Sequence, residues 1–255
     1  MNFSAKGRRW LFGGALFLFI NGFFVARVEE ATRPELAPIS ALFVLVLWAP
    51  AAYALMQWLG FRRAALILLA LGAFAVGIET FAVKTGWPYG SFDYGDKIGV
   101  KYFGVTPWTV PFAWSPLVLG AMALAARHTR SFIGLCVVAT IFLLLFDGVL
   151  DPGTVSQEFW TYEAGGLYYG VPLSNFGGWI LSGLIGAAIF YCGSGKRSDV
   201  PLTLISSVTM IIAFWTSVCG FSGLWIPAVL GAALLAWIAH SVRSIDPEDT
   251  PPLGP

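Results

Sequence analysis

The sequence predicts an all-α protein: a polytopic membrane bundle of about eight transmembrane helices, or seven if the shortest does not span. Three observations carry this. Mean hydropathy is +0.75. Only 11% of the residues are charged, against roughly 25% in ordinary globular domains. The apolar residues also fall in runs long enough to cross a bilayer. Residues 1–240 read as one integral membrane domain. Residues 241–255, short, Pro-rich and acidic, read as a disordered tail. A formal net charge of +1 without a basic stripe excludes nucleic acid as a partner.

The elements follow in order. Lys6, Arg8 and Arg9 form a basic head before the first apolar run, Trp10 to Val25. That pattern could be a secretory signal, but the run ends FFVAR without a small-x-small cleavage site, so a retained helix is expected. A charged connector with Glu29, Glu30, Arg33, Pro34 and Glu35 leads to helix two, Ile39 to Leu59, which Pro50 can kink. Gly60 to Arg63 is expected as a tight turn before helix three, Ala64 to Val83. Helix four is Pro111 to Ala126, slightly short for a span. Helix five is Phe132 to Leu150, with Asp151-Pro152-Gly153 as a stop signal. Helices six, seven and eight are Phe176 to Cys192, Leu202 to Val218 and Leu224 to Ala239. Cys136, Cys192 and Cys219 lack metal or redox spacing and read as packing residues; His128 and His240 read as surface residues. Neither a metal nor a cofactor is expected.

Eight spans place the termini and the short turns on one side. That side holds Lys6, Arg8, Arg9, Arg62, Arg63, Arg127, Arg130, Lys196, Arg197 and Arg243, ten of the fifteen basic residues. The positive-inside rule then puts both termini in the cytoplasm. The two long connectors, Thr85 to Trp114 and Asp151 to Asn175, share the opposite face. They are too broken by Gly and Pro to span, yet too aromatic to be disordered, so they are expected to fold over something.

Carboxyls inside apolar spans are costly and are functional candidates by default. Glu79 and Asp147 are the two here. Asp151 follows Asp147 by one turn and shares its face if the helix continues. Asn21 and Asn175 reach the same depth, although Asn175 could simply cap helix six. Asp93, Asp96 and Glu158 are secondary candidates in the connectors. A neutral buried carboxyl can serve as a general acid, and Trp and Tyr faces can stabilise a carbocation. The same carboxyls would also suit a proton relay.

The blocks TGWPYGSFDYGDKIG, GVTPWTVPFAW, DGVLDPGTVSQEFWTYEAGGLYYGVPLSNFGGW and the GIET of helix three resemble the membrane-integral carotenoid hydratase family. Its members are described as carotenoid biosynthesis proteins, of the bisanhydrobacterioruberin hydratase and γ-carotene 1′-hydroxylase type. The resemblance covers about residues 72 to 185. It implies addition of water to the terminal C1–C2 double bond of an acyclic ψ end group, giving a tertiary alcohol without a redox cofactor. It also implies a bacterial or archaeal cell membrane, a carotenoid drawn from the bilayer, and association with other carotenoid enzymes.

The residue roles are assigned from position and chemistry alone. Asp147 or Glu79 is the expected proton donor, and Asp151 with Asn175 the expected holder of water. Trp87, Tyr89, Tyr94, Trp108, Trp114, Trp160, Tyr162 and Asn21 are the expected substrate wall. A membrane carotenoid cyclase, which quenches the same cation internally, and a proton-coupled transporter are the rival readings.

Overall fold

The computed structural model describes residues 3–28 and 32–243. Glu29 and Glu30 of the charged connector, and the tail from residue 244 onward, lie outside the described residues. The helices are α1 (Ala5–Arg27), α2 (Ala37–Leu59), α3 (Phe61–Thr85), α4 (Val110–Ala125), α5 (Phe132–Ser156), α6 (Leu173–Gly193), α7 (Ser206–Phe221) and α8 (Trp225–Arg243). The described residues also form four short strands: β1 (Phe92–Tyr94), β2 (Lys101–Tyr102), β3 (Thr106–Pro107) and β4 (Trp160–Tyr162). Among the described residues, seven helices are long and apolar enough to cross a membrane.

The eighth, α4, occupies a different place. Its 16 residues rise roughly 24 Å at 1.5 Å each, short of a hydrocarbon core of about 30 Å. Every residue from Trp114 to Ala125 is buried. A helix that is apolar all round belongs in a core, and α4 packs against α2, α3, α5, α6 and α7. Its small residues allow that approach: a Cβ on Gly120 would collide with Val208 of α7. α4 still carries the chain from the connector end of the bundle to the other end. Arg243, closing α8, sits 5.6 Å over the ring of Phe12 in α1. The first part of α1 and the end of α8 therefore lie together, opposite the connectors.

Several boundaries move from their expected places. Gly60 alone makes the turn after α2, with φ of 78°; Arg62 and Arg63 belong to the first turn of α3. Ser241 belongs to the last turn of α8, donating to the Trp237 carbonyl at 2.9 Å, so the helix runs past the expected start of the tail. The largest shift is in α5, which continues through Asp151-Pro152-Gly153 to Ser156. Pro152 removes one backbone donor and leaves the Gly148 carbonyl without its helical partner. The Tyr168 hydroxyl donates to that carbonyl at 2.8 Å. A stop signal is overridden because a neighbouring side chain replaces the missing N–H. Pro50 in α2 is accommodated in a related way: Ser207 of α7 accepts from the Ala51 N–H at 2.9 Å.

α1 is held mainly by α7. In lipid, close packing of small residues replaces the hydrophobic drive. Gly22 meets the Phe214 carbonyl and Ser217 so closely that a Cβ there would overlap both. Gly22→Leu should therefore wedge α1 off α7 and cost about 1–3 kcal/mol. Gly13→Leu, at a position with open space around it, should cost far less. Unfolding midpoints of the two variants in detergent check this, and equal midpoints would contradict it.

Candidate active site

The two connectors meet in one ribbon. β1 and β4 pair antiparallel, with Phe92 opposite Tyr162, Asp93 opposite Thr161, and Tyr94 opposite Trp160. Side chains alternate faces along a strand. This register turns Phe92, Tyr94, Trp160 and Tyr162 toward the bundle and leaves Asp93 and Thr161 outside. Packing follows, with Tyr94 and Trp160 ring centres 5.8 Å apart and Phe92 and Tyr162 5.7 Å apart. Lys97 ties the same connectors together, donating to the Gln157 carbonyl at 2.9 Å and pairing with Glu158 at 3.1 Å. A one-residue slip would swap the faces and withdraw both tyrosines.

Beneath the ribbon lie the carboxyls. Asp147 and Asp151, one turn apart on α5, are both buried. Asn175 stands in the first turn of α6, but Pro172 occupies the cap position. Its side chain is used elsewhere: the amide donates to Asp147 Oδ2 at 2.9 Å and to Asp151 Oδ2 at 2.5 Å. The Tyr162 hydroxyl donates to the same Asp151 oxygen at 2.9 Å. Across the cavity, Tyr94 donates to Glu79 Oε2 at 3.0 Å. Asp147 Oδ1 is buried and has no hydrogen-bond partner among the described residues. Burial, then the neighbouring carboxyls, holds the Tyr94 and Tyr162 hydroxyls well above the ordinary tyrosine range, so both remain donors. Tyr89 is raised in the same direction, again by burial first.

All of these groups border one cavity of about 440 Å³, within the range typical of small-molecule sites, ~300–1,000 Å³. Glycines on α6 make room for its walls. The Tyr89 ring lies where a Cβ on Gly178 would be, and the Trp114 indole crosses Gly186. Asn21 also lines the cavity, although its amide donates to the Phe17 carbonyl of its own helix at 2.8 Å.

The structure thus brings together Glu79, Asp147, Asp151, Asn175, Asn21, Tyr89, Tyr94, Trp114, Trp160 and Tyr162. It leaves out Trp87, which is exposed and packs on Phe81. It also leaves out Trp108, which lines a separate recess beside α2. Both sit in turns with no strand or helix period to aim them inward. Asp93, Asp96 and Glu158 are exposed outside the cavity. Several aromatic wall residues were not anticipated, Phe92 and Trp179 among them. Phe92 stands two before Tyr94 on one strand, and Trp179 stands four after Asn175 on one helix. Those spacings are the signals that would have found them.

Fold and site together define a polytopic helical membrane protein with clustered carboxyls at the buried end of a largely apolar cavity. The chain belongs to the carotenoid biosynthesis protein family, whose family model matches residues 39–238. That match reaches beyond residues 72 to 185, taking in α2 and most of α8. The bisanhydrobacterioruberin hydratase of Haloarcula japonica is 39% identical over 190 residues, covering 68% of this chain and 64% of that relative. The chain thus spans a little under two thirds of the length of that relative. No solved structure matches the chain.

The Gly148 carbonyl offers a test of how α5 presents its two carboxyls. Burial pushes the Tyr168 hydroxyl up to about 12, so it remains the donor to that carbonyl. Tyr168→Phe should leave a backbone acceptor unpaired and cost about 1–3 kcal/mol, seen as a lower unfolding midpoint in detergent. Tyr53→Phe, on the exposed face of α2, should leave the midpoint unchanged.

Proposed function

We propose that this chain is a carotenoid hydratase, adding water to the terminal C1–C2 double bond of an acyclic ψ end group to give a tertiary alcohol. One observation carries the proposal. A single buried amide, Asn175, holds two carboxyls side by side where an aromatic-walled cavity ends. The name of the Haloarcula japonica relative, a hydratase, supports the same reading.

The geometry supports the following roles. Asp147, whose Oδ1 has no partner, gives its proton to C2; the O–H bond breaks and a C2–H bond forms. The charge appears at C1 as a tertiary cation. Faces of Trp160, Tyr94 and Trp114 stabilise it, by roughly 2 kcal/mol or more in a desolvated site. Asp151 accepts from both Asn175 and Tyr162 and orients water toward C1. The water oxygen bonds to C1, and its proton passes to the carboxylate pair, restoring the starting state. Glu79, held by Tyr94, supplies the opposite wall with a fixed acceptor. Water is the only co-reactant. The carotenoid comes from the bilayer, the basic end of the bundle faces the cytoplasm, and neighbouring carotenoid enzymes share the membrane.

Expression in cells that accumulate an acyclic ψ-ended carotenoid tests this by product mass. Wild type should yield a product heavier by one water, whereas a cyclase product would keep the substrate mass. Asp147→Asn and Asp151→Asn should each lower the rate by at least about a hundredfold, the low end for general acid–base groups. Glu79→Gln should lower it less. If all three variants made the hydrated product at the wild-type rate, the acid–base assignment would fail.

A further inference from the structure

The cavity is lined by carboxyls at one end and is mostly apolar at the other. Asp147, Asp151 and Asn175 are buried at the inner end. At the other end its lining includes Phe24 of α1, 52% exposed, and Ile39 of α2, 63% exposed. Residues that both line a cavity and reach the outer surface mark where it opens. α1 packs on α7, and α2 packs on α3, α4 and α7. The opening is therefore a lateral slot between α1 and α2, edged by Asn21, Phe24, Ile39, Ser40 and Phe43. Both helices are long and apolar enough to span a membrane, so the slot faces lipid.

We propose that this slot is the port for a long acyclic isoprenoid chain, which enters end first and keeps most of its length outside the cavity. The proposal rests on the hydratase reading above and adds where the chain lies and how much of it the protein reads. The cavity, about 440 Å³, is in the range of sites for drug-sized ligands. It accommodates an end group and the first part of a polyene. The polarity gradient orients that part, because the alkene terminus must reach the carboxyls while the conjugated chain stays among Phe24, Ile39 and Phe43. The far end is never inside and is not recognised. A carotenoid with two ψ ends is consequently released and rebound between hydrations, and its half-hydrated form accumulates.

Closing the slot tests the assignment. Two substrates are compared: a two-ended acyclic polyene, and a short acyclic terpene with the same dimethyl-substituted terminal alkene that fits wholly inside. The readout is the ratio of long-substrate to short-substrate turnover. Attaching a bulky apolar maleimide to Ser40→Cys after folding should lower that ratio by about tenfold or more, a loss of binding specific to the long chain. Wild type treated the same way controls for the exposed Cys192. Labelled Val46→Cys, on the exposed face of α2 outside the cavity, should keep its ratio. An unchanged ratio in fully labelled Ser40→Cys would overturn the port. So would direct conversion of the two-ended polyene to the doubly hydrated product without the half-hydrated form. Wild type that hydrates neither substrate would instead overturn the hydratase reading itself.

Discussion

Two carboxyl groups one turn apart on a helix repel, and an apolar bundle offers little to offset that cost unless a donor reaches both. Asn175 is that donor, with one amide nitrogen reaching both side chains. Its position depends on α6 lying close along α5. That approach depends on Gly183, where a Cβ would press on Thr140 and Leu143. The carboxyl pair also requires α5 to remain helical through Pro152, which returns the requirement to Tyr168 and its bond to Gly148. Much of what looks irregular here, a helical proline, small residues in α6 and a tyrosine folded back from a connector, serves this contact.

The bundle supplies the rest by keeping water and lipid away from the inner end of the cavity. α4 fills the centre with small and branched residues, and its Trp114 contributes wall without a charge. The ribbon of β1 and β4 closes the end. Its tyrosines do two jobs at once: their rings pack on Phe92, and their hydroxyls satisfy Glu79 and Asp151. A buried carboxyl with a fixed donor keeps one orientation, and a fixed orientation is what the proposed acid–base chemistry on an otherwise featureless hydrocarbon needs.

Much of this was legible in the sequence. Long apolar runs mark the helices, and Glu79 and Asp147 stand out because charged groups in such runs are rare. The basic turns mark one end of the bundle. What could not be read was long-range. Nothing near Tyr94 in sequence says that it will face Trp160, so the donors to Glu79 and Asp151 stayed hidden among many aromatics. Asp151-Pro152-Gly153 reads as a stop because local rules cannot see Tyr168. Trp87 and Trp108 share the composition of the true wall residues but lie in turns, where no periodicity separates an inward ring from an outward one.

The ribbon has a consequence for assembly. Tyr94 reaches a carboxyl 15 residues before it in the chain, so the Glu79 side can form as soon as α3 and its connector have left the ribosome. The Asp147 pair must wait for Asn175, 28 residues later, and the roof must wait for β4 to find β1. Contacts between distant segments form late because their loops must close first. The Glu79 wall can therefore form before α6 has emerged, and the carboxyl pair is assembled only when α6 docks on α5.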